Sequence, residues 1–186
     1  FGGVIELFES DNRLEAIASA IGVPVSDFKK EYFKYNHLSN VDNLPWEYTL
    51  LKVVSIFDTS EQAKEAVLSL LKNDITHRTL NLELLKLFPI LRHQGLKVAI
   101  FSNDTSKLRE KLNSNGIIKM VDELVISGEI GFQKPHKEAF QVLFDKLGVQ
   151  AEEVVFVDDA PRSLEKAGEI GYIPVLFKNN QQLIID

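Results

Sequence analysis

The chain contains no cysteine, which excludes disulfides, thiolate nucleophiles and zinc–thiolate sites. It has no run approaching the roughly 18–20 apolar residues of a membrane span. There is no basic start followed by an apolar core, so no signal peptide is visible. Positive charge is in the minority: 21 Lys and Arg stand against 27 Asp and Glu, for a net charge of −6. That balance argues against nucleic acid or an anionic membrane as the main partner. Internal repeats, low-complexity tracts and long charge runs are lacking. No Ser–His pair has a recognisable spacing, the four histidines being scattered at positions 37, 77, 93 and 136. An initiating methionine is lacking too. The chain starts at Phe1 within what reads as a strand-end turn, FGGVIELF, and is expected to have been cut there, with a first strand mostly missing. What is present is ordinary globular composition, 186 residues with 45% hydrophobic and 26% charged, enough for one core plus an insertion. A soluble, cytoplasmic protein, monomeric or homodimeric, is the expectation.

The stretch Val154 to Gly171, VVFVDDAPRSLEKAGEIG, organises the rest. Four apolar residues, Val154 to Val157, suit a strand covered on both faces. Asp158 and Asp159 follow at once, and Pro161 opens a helical segment running to about Gly168. In open parallel α/β sheets, ligands bind at the carboxyl ends of the strands. Adjacent acids there repel each other unless a cation lies between them, and Mg²⁺ takes oxygen ligands of this kind. The alternative is that Asp159 merely caps the helix while Asp158 faces water.

Ahead of that stretch, the period from Asp11 to about Asn73 is wholly helical. Leu14, Ile17, Ala18 and Ile21 mark a first helix, and a second begins near Ser26 with Phe28, Tyr32 and Phe33 on one side. A third follows Pro45, and a fourth opens with Thr59 and Gln62 spaced as a capping box. After Asn73 the pattern alternates. Helices over Leu82 to His93 (kinked or shortened at Pro89), around Leu108 to Leu112 and over His136 to Leu147 are interleaved with strands at Lys97 to Phe101, Glu123 to Ile126, Val154 to Val157 and Tyr172 to Phe177. Alternation at this spacing predicts an α/β fold, a Rossmann-like parallel sheet flanked by helices, with a helical bundle inserted. The expected division is a core of residues 1–10 and 74–186 and a helical unit of residues 11–73.

Three loops at strand ends carry complementary polar groups. Ser102 and Asn103 offer a hydroxyl and an amide, although Ser-Asn-Asp is also an ordinary helix N-cap. Lys134 precedes Pro135 and the positive end of a helix, a place that disfavours a cation unless an anion lies nearby; a solvated lysine is the alternative. A hydroxyl, an ammonium and a carboxylate pair describe a site for a phosphoryl group with Mg²⁺.

Ser102 after an apolar strand, GFQKPHKEAF (Gly131 to Phe140) and FVDDAPRSLEKAGEIG resemble the second, third and fourth motifs of the haloacid dehalogenase-like (HAD) hydrolase superfamily. FGGVIE resembles the tail of its first motif, an Asp, any residue, Asp, Gly, then Val or Thr. The motifs come in the family's order over nearly the whole chain, and the helical insertion falls where the family places its type-1 cap. The resemblance implies a phosphatase acting through an aspartyl-phosphate, its nucleophilic Asp immediately before Phe1. It implies that Ser102, with Asn103 beside it, binds a phosphoryl oxygen and that Lys134 holds nucleophile and phosphate charges together. Asp158 would ligate Mg²⁺ directly, Asp159 would support it, and the Gly2 backbone carbonyl would be a further ligand. Gly2 replaces the second Asp, which in the family protonates the leaving group; members with Gly here include sugar-1-phosphate phosphatases. Leaving groups that need little protonation should therefore be favoured. The implied partner is a small phosphorylated metabolite such as a sugar phosphate. Tyr35, Asn36, His37, Trp46 and Tyr48 could face that substrate from the cap, or belong to the bundle. A catalytically inactive phosphate- or partner-binding relative is the alternative. A receiver domain, with its acid pair early and its lysine late, and a metal-free dehalogenase fit the residues less well.

Overall fold

The computed structural model describes residues 1–8, 12–73 and 78–185. A short strand β1 (Glu6–Phe8) leads into five helices, α1 (Arg13–Ala20), α2 (Val25–Tyr35), α3 (His37–Asn40), α4 (Trp46–Val54) and α5 (Glu61–Lys72). Strand β2 (Arg78–Leu80) returns beside β1 as its antiparallel partner. The chain continues through α6 (Leu82–His93), β3 (Ala99–Ser102), α7 (Lys107–Ser114), β4 (Glu123–Ile126), α8 (Ser127–Ile130) and α9 (Lys137–Leu147). It ends with β5 (Val155–Asp158), α10 (Pro161–Leu164), α11 (Ala167–Ile170), β6 (Ile173–Leu176) and α12 (Asn180–Ile185).

The parallel sheet is present as two hydrogen-bonded pairs. β3 pairs with β4 from Ala99 opposite Glu123 to Ser102 opposite Ile126, and β5 pairs with β6 from Val155 opposite Ile173 to Asp158 opposite Leu176. Alternation along each strand divides the core into two layers. Ile100, Leu124 and Ile126 face a cluster with Leu84, Leu85 and Phe88 of α6 and Leu108 and Leu112 of α7. Phe101, Val125 and Phe156 face the opposite cluster, built on Phe140, Leu143, Phe144 and Leu147 of α9. Helices thus cover both faces. The inserted helices bury a third cluster of their own, Ile17, Ala18, Phe28, Leu50, Val53, Val54 and Val67. The division expected at Asp11 and Asp74 lies outside the described residues.

Several local expectations are corrected. The cap of α5 is Ser60, whose hydroxyl accepts the Ala63 N–H at 3.2 Å; Thr59 stands one residue too early, and its own hydroxyl is buried without a partner among the described residues. Helix α6 runs unbroken through Pro89, because Pro89 lies on its exposed face while Leu84, Leu85 and Phe88 anchor the buried one. The helical segment after Pro161 is two short helices, α10 and α11, not one. The Val154 to Val157 strand begins at Val155 and is not covered on both faces, since Val155 is 58% exposed on a pair whose other member, β6, is an edge strand carrying Pro174. The β1–β2 pair was not expected. Three residues a side are too few for a periodic signal.

Asp122 ties the start of β3 to α6 and to β4. Its carboxylate accepts the Val98 N–H at 2.8 Å and the Arg92 Nε–H at 2.9 Å. The Val98 hydrogen bond first, then Arg92, hold this carboxyl below the usual carboxylate range against an opposing effect of burial. A depressed acid stabilises the fold above its unfolded value, roughly 3.9, and the gain is lost as pH falls through the native value. Asp122→Asn should therefore lower the melting temperature at pH 7, and the gap from wild type should close below about pH 3. Thermal unfolding of both proteins across this range measures it; a gap independent of pH would refute the ionic clamp.

Candidate active site

Ser102 is the last residue of β3 and Asp158 the last of β5, so both stand at carboxyl ends of parallel strands, and both are buried. Lys134, from the loop before α9, lies between them. Its ammonium donates to Asp158 Oδ2 at 2.6 Å and to the Phe101 carbonyl at 3.3 Å, and sits 5.3 Å from the centroids of both the Phe101 and Phe156 rings. The pair is almost fully enclosed, with side chains 5% and 8% exposed. Burial on its own would raise the Asp158 carboxyl, but the Lys134 ammonium and the Ala160 N–H, at 2.9 Å from Oδ1, outweigh it and leave the group ionised more readily than usual.

Asp159 behaves oppositely. Burial first, then the neighbouring charge of Asp158, push its carboxyl up. Its side chain lies against the Cα of Gly3, and any Cβ added there would collide with the carboxylate; Gly3 also has a left-handed backbone, φ 80°. Gly3 is thus the residue of the opening turn that packs against Asp159. Gly2 forms an isolated bridge with Glu6 and lies beside the Phe8 ring. The Phe1 nitrogen is buried in the same place, within reach of the charges of Lys134, Asp158, Asp159 and Asp104.

Asn103 is placed beside Ser102 with its amide engaged at both ends by the backbone of one residue, Lys134. Its Oδ1 accepts the Lys134 N–H at 2.8 Å and its Nδ2 donates to the Lys134 carbonyl at 3.1 Å. Its demonstrable work is to position Lys134. Of the bundle residues, Trp46 donates its indole N–H to Tyr32 at 3.1 Å under the Arg13 guanidinium, 4.6 Å away, and Tyr35 packs on the bundle core. The His37 ring is bonded to the Lys34 carbonyl at 2.9 Å, Asn36 precedes α3, and Tyr48 is 53% exposed. No described contact joins these five to the Lys134–Asp158 pair.

The bundle instead reaches the site's surroundings through residues not foreseen. Asn43, at φ 57°, accepts the Ser106 N–H at 2.8 Å and donates to the Ser106 hydroxyl at 3.0 Å, four positions beyond Ser102. Phe33 of α2 lies 4.0 Å beneath the Arg162 guanidinium, four positions beyond Asp158. Periodicity sets Phe33 with Phe28 and Tyr32 on one side of the helix without marking it for Arg162, and nothing local marks Asn43.

The model of the haloacid dehalogenase-like hydrolase family matches residues 11–176, and the chain belongs to that family. Among similar proteins are a glyceraldehyde 3-phosphate phosphatase of Methanocaldococcus jannaschii, 34% identical over 110 residues (54% of this chain and 48% of that protein), and a phosphoserine phosphatase of Thermus thermophilus, 36% identical over 72 residues (38% and 29%). The matches therefore span half or less of these relatives. A HAD family enzyme of Bacteroides thetaiotaomicron, crystallised with magnesium and inorganic phosphate, shares the fold at a TM-score of 0.65 and 17% identity, covering 98% of this chain and 95% of that one. Among the described residues no helix is long and apolar enough to cross a membrane.

Two substitutions test the geometry. Gly3→Ala should destabilise the protein by more than Gly95→Ala. Gly95 has a similar φ, 86°, with open space where a Cβ would go, so it reports the left-handed penalty of about 1–2 kcal/mol alone. Equal losses in urea unfolding would refute the Asp159 contact. Lys134→Met should cost about 3–5 kcal/mol by stranding a buried carboxylate, and adding Asp158→Asn should recover part of it. A double variant no more stable than Lys134→Met alone would show that the pair is not coupled.

Proposed function

We propose that this chain supplies the core and helical cap of a magnesium-dependent phosphatase that hydrolyses a small phosphorylated metabolite through an aspartyl-phosphate. The observation that carries the proposal is the buried Lys134–Asp158 pair, in which Lys134 from the loop before α9 reaches Asp158 at the end of β5 and the Phe101 carbonyl one residue before Ser102, the end of β3. An ammonium has three donors. Two are spent on Asp158 and Phe101, leaving one for a phosphoryl oxygen. Ser102 donates its hydroxyl to another. Asn103 fixes the Lys134 peptide and so the point from which the ammonium reaches.

The residues present fit a magnesium ion. Asp158 and Asp159 are adjacent oxygen donors, and the charge of Asp158 helps to hold the Asp159 carboxyl up, a repulsion that a divalent cation relieves. When bound, the ion would neutralise charge on the phosphoryl oxygens and align the ester. The Gly2 carbonyl is proposed as a further ligand. The nucleophilic aspartate is proposed to be the residue joined to the Phe1 nitrogen, because Lys134, Asp158, Asp159 and Asp104 all act on that nitrogen. Helices α1–α5, seated on the core through Asn43 and Phe33, would close over the substrate and exclude water.

Gly2 puts no acid where a leaving group would be protonated, a contribution of roughly 10²–10⁴ in rate. The full-length protein in Mg²⁺ should therefore turn over p-nitrophenyl phosphate and glucose 1-phosphate roughly 10²-fold faster than glucose 6-phosphate. Chelation should abolish all turnover. Equal rates on the three esters would remove the leaving-group argument; no magnesium-dependent release of phosphate from any would remove the phosphatase.

A further inference from the structure

We infer that Arg162, steadied on the Phe33 ring, reads a second anionic group on the substrate, so that the substrate class is a phosphate ester carrying a carboxylate or another oxyanion at its far end. The inference rests on the phosphatase reading and deepens it. Arg162 lies in α10, three positions beyond Asp159, and its guanidinium is 4.0 Å from the centroid of Phe33 in α2. It therefore spans from the segment that carries the acid pair to the inserted bundle. Among the described residues the Phe33 ring is its partner, and no carboxylate lies within ion-pairing distance of it.

A guanidinium is planar, and its five N–H groups point outward in that plane. Stacking on an aromatic face fixes the plane and spends none of these donors. What remains is a fork free to take two oxygens of a carboxylate or phosphate. The surface elsewhere is different: Arg109 and Arg92 commit their guanidinium groups to Glu129 and Asp122. Phe33 itself is 42% exposed, so the stacked guanidinium is held at the surface rather than in the core. Arg162 stands four positions after Asp158 and three after Asp159, so a cation held there would offset part of the repulsion that a doubly anionic substrate meets near the acid pair.

The seam also decides which substrates fit. A phosphate ester with a neutral far end would leave the fork to water and gain nothing from it. One with an oxyanion at the right reach would make charge-assisted hydrogen bonds at both ends and draw bundle and core together around it. Arg162 would then be a specificity residue, acting on affinity and leaving bond cleavage to the groups around Lys134.

Calorimetric titration in Mg²⁺ tests this without any need for turnover. The probes are methylphosphonate, with one anionic group, and phosphonoacetate, 3-phosphonopropionate and 4-phosphonobutyrate, which add a carboxylate at increasing reach. At least one of the three should bind about 10-fold or more tighter than methylphosphonate. In Arg162→Ala that ratio should fall to near one. Arg162→Lys, keeping the charge but losing the planar fork, should retain only part of it. A ratio near one in the wild type, or a ratio unchanged by Arg162→Ala, overturns the inference while leaving the phosphoryl site standing. Failure of all four probes to bind overturns the phosphoryl site and the inference together.

Discussion

A lysine ammonium and an aspartate carboxylate, removed from water between two strand ends, set the terms for everything around them. Taking both charges out of solvent is costly, and their attraction repays it only when geometry and further hydrogen bonds are good. Here the supporting bonds are present. The Phe101 carbonyl takes a second ammonium proton, the Ala160 N–H meets the other carboxylate oxygen, and the Asn103 amide grips the Lys134 peptide from both sides. Three segments remote in sequence are thereby fixed relative to one another at the place where a parallel α/β sheet presents its ligands. Hydrophobic burial alone would not choose this arrangement, since burying the same strands needs only apolar side chains.

The neighbouring carboxyl illustrates how environment separates two identical groups. Asp158 and Asp159 are consecutive, the first buried and the second exposed, and the Lys134 ammonium pulls the first down while desolvation and the charge of Asp158 push the second up. The proposed magnesium ion would relieve that repulsion. Gly3 permits the close approach. A side chain at that position would occupy the volume in which the Asp159 carboxylate lies.

The inserted helices bury their own core and meet the rest of the molecule through few polar or aromatic contacts. Such a seam can open and re-form at modest cost, as a cover over an active site must. Two of its contacts fall four positions after a residue of the site, Ser106 after Ser102 and Arg162 after Asp158. A shift of the bundle is therefore felt directly by the loops that carry the chemistry.

Much of this was legible in the order of residues. Apolar periodicity located the helices of the bundle, the strands Glu123–Ile126 and the interleaved α/β pattern, because burial of one face imposes a period that survives in any local window. Ser102, Lys134, Asp158 and Asp159 stood out because unusual polar types at strand ends are informative by themselves. The fold decided what period cannot encode. Asn103 was read as a phosphate contact, and the fold adds a role for its side chain, whose amide meets the backbone of a residue 31 positions away. The facing of Asp159 by Gly3, the short β1–β2 pair and the stacking of Arg162 on Phe33 likewise join residues whose neighbours in sequence carry no trace of the encounter. Identity along the chain determined which groups could do chemistry; closure of the chain in three dimensions determined which of them meet, because contact energies depend on distance in space and not on separation along the polymer.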